Sequence, residues 1–258
     1  MQKIVASLTL AATLTSAAFG QVSLTALNSA YTQNFDTLSN TAGSTTNNLV
    51  LTGWSMTETG GGARDNEQYA VDTGASNTGD TYSYGTAAST DRALGSLRSG
   101  TLISSFGVRF INNTGVTLTS LAVAYTGEQW RLGALNRTDT LKFEYSLDAT
   151  SLTTGTWTAV AALDFLTFAT TGSIGSTNGN SLTYQTSLSA TIGSLSIPNA
   201  STVFFRWSDL DAPASADDGL AIDNFSVTAI PEPSTYAAIF GALALAGVCV
   251  HRRRQARR

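Results

Sequence analysis

Between residues 21 and 230 the apolar side chains recur at every second position in short runs, and no segment sustains the 3.6-residue stripe of a helix. Leu141, Phe143, Tyr145 and Leu147 alternate with Lys142, Glu144 and Ser146. Phe106, Val108 and Phe110 alternate with Gly107 and Arg109, and Val203, Phe205 and Trp207 with Thr202, Arg206 and Ser208. A period of two is what a strand with one wet and one dry face requires. Further candidate strands lie at 49–57, 69–73, 81–85, 156–160, 163–168, 182–192 and 220–227. Turn residues separate them, among them Asn112-Asn113-Thr114-Gly115, Gly172–Asn180, Pro198-Asn199 and Asp217-Asp218-Gly219. Short strands in this number, without helices and without a repeat of fixed period, predict a single all-β domain over residues 21–230: an antiparallel β-sandwich of the jelly-roll type.

Two strands break the alternation. In Leu121–Leu132 the large apolar residues sit at 121, 123 and 125, then at 130 and 132. Because the side-chain period is two, this predicts a slip of one residue near Thr126-Gly127. The same switch between Ile222 and Phe225 predicts a bulge at Asp223-Asn224. Bulges re-aim side chains, so Glu128 and Asp223 are the acids whose direction the pattern leaves open.

The chemistry available is narrow. The only histidine is His251 and the only cysteine Cys249, which removes histidine-based triads, thiol nucleophiles, Cys/His zinc sites and disulfides from residues 21–230. That stretch carries eight basic side chains against 17 acidic ones, a formal charge of −9, which argues against nucleic acid as a partner. Five carboxylates, Asp209, Asp211, Asp217, Asp218 and Asp223, fall within fifteen residues that hold no Lys or Arg. Hard oxygens at that density suit a structural Ca²⁺, although the spacing is not that of an EF-hand. Glu128, Trp130 and Arg131 group an aromatic with polar hydrogen-bonders, the mixture that recognises a sugar ring. The competing expectation for Trp130, as for Trp54, Trp157 and Trp207, is a place in the core. A glycoside hydrolase needs only two carboxylates about 5–9.5 Å apart, and Glu128 with Glu144 or Asp209 is the pair to test. Two functions are therefore weighed: a non-catalytic structural or adhesive module with affinity for polysaccharide, and a carbohydrate-active enzyme using paired carboxylates. A buried acid pair of raised pKa facing a cleft would favour the enzyme.

The two ends read as addresses. Residues 1–20 have a basic start at Lys3, an apolar run from Ile4 to Ala18, and small residues at Ala18 and Gly20, as a secretory signal peptide cut by signal peptidase would. Residues 235–250 are apolar and uncharged, long enough for a single short transmembrane helix, and residues 251–258 hold five arginines. The positive-inside rule then leaves the body outside the inner membrane. Just before the run stands Pro231-Glu232-Pro233. Pro-Glu-Pro, a short apolar helix and a terminal arginine cluster resemble the PEP-CTERM sorting signal of Gram-negative bacteria, over residues 231–258 only. The resemblance implies processing near Pro231–Pro233 by an exosortase, a membrane transpeptidase-like enzyme. It also implies transient anchoring in the inner membrane and then export to the outer surface or to an exopolysaccharide-rich matrix, as in biofilm formers.

Overall fold

A computed structural model describes residues 20–211 and 216–231. Residues 1–19, nearly all of the expected signal peptide, and Glu232, Pro233, the apolar run and the basic end lie outside the described residues, among which no helix is long and apolar enough to cross a membrane. In chain order the strands are β1 (Val22–Leu24), β2 (Ala30–Gln33), β3 (Trp54–Thr59), β4 (Ala70–Asp72), β5 (Asp80–Tyr84), β6 (Ala93–Leu97), β7 (Ile103–Asn112) and β8 (Ser120–Leu132). There follow β9 (Thr140–Ser146), β10 (Thr158–Ala159), β11 (Phe165–Leu166), β12 (Gly175–Ser176), β13 (Gln185–Ile192), β14 (Thr202–Asp209) and β15 (Gly219–Ile230). One turn of 3-10 helix, Ala161–Leu163, precedes β11.

The strands form two sheets. In the first, β7 and β9 flank β14. The free edge of β7 takes β1 in parallel and β3 in antiparallel pairing, and that of β9 takes β10 and β11. In the second, β15 lies between β8 on one side and β6 with β2 on the other. β13 and β12 extend the sheet beyond β8, and β5 with the parallel β4 extends it beyond β6.

Between the sheets lies the main core, and every second residue of the alternating runs fills it, as their period demands: Phe106, Val108 and Phe110, Leu141 and Phe143, and Val203, Phe205 and Trp207. Trp207 of β14 stands at its centre. It stacks on Trp54 and Phe106, with ring centroids 5.8 and 5.9 Å away, and meets Tyr125, Phe143 and Phe225 edge-on at 5.1–5.6 Å. A second apolar cluster covers the outer face of the β15 sheet and contains Tyr82, Tyr84, Leu97, Trp130 and Ala221. β5 and β6 are therefore buried on both faces, which hides β6 from a search for alternation.

The second cluster also corrects the expected slip at Thr126-Gly127. The ladder between β8 and β13 runs unbroken from Leu121–Ile192 to Glu128–Gln185. Gly127 is needed for closeness: a Cβ built there would lie 2.4 Å from the Phe165 ring. The apolar residues change parity because Leu121, Val123 and Tyr125 face the main core whereas Trp130 faces the outer cluster. A slip does occur in β8, but later: Gly219 pairs with Arg131 and Leu220 with Gln129, so Trp130 is the extra residue. The other expected bulge is where the pattern puts it, between Asp223 and Ser226, with Asn224 at φ 49°. Asparagine tolerates that left-handed conformation better than a branched residue does.

Candidate functional site

Glu128 and Asp223 lie on the outer face of the β15 sheet. Glu128 is opposite Ala221 and Asp223 opposite Thr126, so the two acids are diagonal neighbours on adjacent strands, roughly 7–8 Å apart along such a diagonal. Both are buried, at 2% and 4% exposure. Glu128 accepts a 2.8 Å hydrogen bond from the Trp130 indole, and Asp223 accepts one of 2.7 Å from the Asn224 amide. Burial pushes the Glu128 pKa up to about 8, opposed by the indole bond and assisted by the Asp223 charge. Burial likewise pushes Asp223 to about 7, opposed by its bond to the Asn224 backbone and assisted by Asp91 and Asp36. Gly179 lies on the Trp130 indole, Asn180 bonds Asp91 at 2.5 Å, and Gln185 bonds the Asn180 carbonyl at 3.1 Å. The acids are thus paired in register yet sealed.

Trp130 is not a sugar platform. It is 1% exposed, with its ring parallel to Tyr84 at 5.9 Å, and both of its flanks are covered. Trp54 and Trp207 are core, and Trp157 is half-buried under the Arg206 guanidinium. Arg131 spends its guanidinium on the Gly74 and Ala75 carbonyls, 3.1 Å each, and so ties down the loop after β4.

The expected acid pairs, Glu128 with Glu144 or Asp209, are not brought together. Glu144 is on the outer face of the opposite sheet, held by Arg206 at 2.7 and 2.9 Å and Lys142 at 2.8 Å. Two sheets separate it from Glu128, about 10 Å of sandwich before side chains are counted. Asp209 is buried at the end of β14 on the Ser96 hydroxyl, 2.9 Å away.

The acidic loop is not without neutralising cations. Its segment holds no basic residue, but arginines distant in sequence, in the loops after β6 and β8, reach it. Arg137 lies 3.3 Å from Asp217, 3.5 Å from Asp139 and 4.0 Å from Asp218, and Arg98 lies 3.7 Å from Asp211. Asp218 also accepts from the Gly133 amide at 2.6 Å and the Gln129 amide at 3.0 Å. Asp223 is bound up at its bulge. Among the described residues no group of three acids is disposed to hold a metal ion, and a guanidinium does the neutralising. Arg137→Met should therefore cost about 2–3 kcal/mol, less than the roughly 3–5 kcal/mol for stranding a fully buried acid because Arg137 keeps some exposure. Millimolar Ca²⁺ should leave the wild-type melting temperature unchanged. A calcium-dependent rise in a thermal melt would contradict this arrangement.

What sequence reasoning missed is a cleft beside the β15 bulge, of about 390 Å³, lined by Thr32, Gln33, Asn34, Asn224 and Phe225. β2 pairs with β15 just past the bulge, and this sets the end of β2 against Asn224. Asn34 is fixed by a 2.6 Å bond to Asp36, and Gln33 accepts from the Tyr31 hydroxyl at 3.4 Å. The Gln33 Nε2 and the Asn224 Oδ1 keep no partner among the described residues, so a donor and an acceptor are offered to solvent. The one signal in the sequence was the parity switch at Asp223-Asn224.

No family model matches the chain, and no curated protein matches it. Several solved structures are similar to it in part. The K1 cleaved adhesin domain of Lys-gingipain from Porphyromonas gingivalis W83 is 11% identical over 79% of this chain and 99% of that one, with a TM-score of 0.41. TmCBM61, solved with beta-1,4-galactotriose, is 10% identical over 55% and 74%, with a TM-score of 0.29. The enzymatically active domain of tailspike protein 4 from bacteriophage CBA120 is 14% identical over 69% of this chain but 20% of that one, with a TM-score of 0.36. Likenesses this distant carry no function across.

Proposed function

We propose that the chain is an exported, non-catalytic module of the cell surface or extracellular matrix that binds neutral polysaccharide in the cleft at the β15 bulge. In this reading its tail, residues 231–258, is a PEP-CTERM-type signal read by an exosortase. The observation that carries the binding role is the cleft lining: amides and a hydroxyl, with no charged side chain among them. Sugar hydroxyls both donate and accept, and amide side chains answer both needs without demanding a charge. The successive strands β7, β8 and β9, and again β13, β14 and β15, alternate between the sheets, which supports a jelly-roll-like form of the sandwich. Against a hydrolase stands the burial of Glu128 and Asp223: their pKa values are raised, but neither acid reaches solvent to meet a glycosidic oxygen.

Screening the purified protein against neutral glycans tests the binding role. Gln33→Ala combined with Asn224→Gly should weaken the best ligand at least about tenfold, the loss of two hydrogen bonds, while leaving the melting temperature within a few degrees. Binding that survives the double variant would place the site elsewhere. Release of reducing sugar that Glu128→Gln abolishes would instead establish the enzyme. For sorting, alanines at Pro231, Glu232 and Pro233 should hold the protein in the inner membrane with its sandwich folded, and normal surface delivery would refute the tail reading.

A further inference from the structure

A second cleft, of about 180 Å³, opens on the opposite flank of the β15 sheet, between β4, the β5–β6 loop and the segment after β2. Its walls include Asn40, Gly43, Asp72, Thr73, Thr86 and Ala88, and Arg92 forms part of its floor. Arg92 is 2% exposed; its backbone amide donates to the Asp36 carboxylate at 3.3 Å, but no carboxylate lies within 4 Å of its guanidinium among the described residues. Its Nε donates to the Ser83 hydroxyl at 2.9 Å, and its Nη2 to the Ser83 and Asp72 carbonyls. Nη1 has no acceptor among the described residues and is not one of the fully buried unpartnered atoms, so it keeps some accessible surface in a residue that lines the cleft. Only glycine fits at position 85, because a Cβ there would lie 2.2 Å from Nη1. The Asp72 carboxylate, which shares the cleft, is turned to the Ser76 amide at 3.1 and 3.3 Å.

This desolvated guanidinium has only neutral carbonyls and a hydroxyl as hydrogen-bond partners, and the charges of Asp72 and Asp91 act on it without contact, so the directly bonded anion that usually accompanies such a group is missing. We propose that this cleft binds a singly charged oxyanion carried on a ring-sized group, a carboxylated or sulfated sugar unit, with Arg92 Nη1 as the charge partner. The volume is close to that of a cavity that admits one six-membered ring, roughly 150 Å³. The Thr73 and Thr86 hydroxyls, free of partners among the described residues, stand ready for ring hydroxyls. A dianion such as a phosphate monoester is disfavoured, because Asp72 and Asp91 act on the same guanidinium. The sugar part of this assignment rests on the function proposed above, and the anion part does not.

The probes are a short oligogalacturonide, its methyl ester, a sulfated galactose oligomer and a neutral galactose oligomer, titrated into the full-length protein by calorimetry. An oxyanion form should bind about tenfold or more tightly than the methyl ester, and salt should weaken it. Whichever of the carboxylated and sulfated probes binds more tightly identifies the source of the oxyanion. Ala87→Trp narrows the mouth from an exposed loop position that makes no bond to Arg92, and should abolish the preference without loss of stability. Arg92→Lys, checked for its melt, should reduce the preference. Equal binding of acid and ester, or a preference that survives Ala87→Trp, overturns the proposal. If the neutral oligomer binds and the charged ones gain nothing, the anion site falls while the neutral-polysaccharide role stands. If an oxyanion form binds and Gln33→Ala with Asn224→Gly leaves that unaffected while no neutral glycan binds, the reverse holds.

Discussion

Trp207→Ala is expected to remove about 3–5 kcal/mol of stability, the range for deleting a large buried ring. The size follows from its place: its ring touches aromatic residues from β3, β7, β8, β9 and β15, so the cavity would open between both sheets at once. Aromatic pairs add about 0.5–1.5 kcal/mol beyond their buried area, and stacked and edge-on neighbours would lose partners together. Since a domain's whole stability is about 5–15 kcal/mol, the variant should sit near its folding threshold. Trp207→Phe keeps a ring in the same slot and should retain most of it. Chemical denaturation of the two variants against wild type measures this, and a midpoint for Trp207→Ala within about 1 kcal/mol of wild type would show that the sheets are not joined through this residue.

Raising the pH from 5 to 9 is expected to destabilise the protein, by about 4 kcal/mol in all. Three buried acids carry the effect: Glu128 and Asp80, each pushed up to about 8, and Asp223, pushed to about 7. For Asp80 burial is the main cause; the Glu58 charge adds to it, and Arg64, 3.2 Å away, opposes it. An acid whose pKa is higher folded than unfolded holds its proton more tightly in the native state. Its contribution is complete below the unfolded value near 4, and is lost as the pH climbs through the folded value. Each full shift would be worth several kcal/mol, and water entering as the groups ionise reduces the sum to the figure given. For a domain of this size it corresponds to roughly 8–16 °C in melting temperature. Glu144 works in the other direction. Desolvation raises its pKa, but bonds from Lys142 and Arg206 hold it below its ordinary value, so its contribution is lost only in acid below that range. Glu128→Gln with Asp80→Asn should flatten the slope. Melting temperatures that stay level or rise between pH 5 and 9 would contradict the buried state of these acids.

Local pattern made some of this visible in the sequence. Strands β7, β9 and β14 are legible because each has one core face and one wet face, and the bulge at Asn224 is legible because the parity switch there is a true insertion. β6 was missed because both of its faces are buried, so Ala93–Leu97 shows no alternation. Trp130 misled for a related reason: an apolar residue out of phase marks either a slipped strand or a second core, and sequence spacing cannot separate the two. The acidic loop looked uncompensated because Arg137 is about eighty residues away from the aspartates it neutralises. Long-range pairing of that kind leaves no periodic trace. The lining of the bulge cleft escaped likewise, since Gln33 and Asn224 meet only across the β2–β15 ladder.

The position of β15 bears on the order in which the molecule can be assembled. The last strand of the sandwich to be synthesised is also the one at the middle of its sheet, with β8 along one edge and β6 and β2 along the other. Until residue 230 has emerged, those three strands lack their shared neighbour, and Phe225, Val227 and Ile222 are missing from the core. A nascent chain of this kind cannot complete its second sheet until its last strand has left the ribosome. In the exported role proposed above, that timing would keep the polypeptide threadable for as long as threading is required.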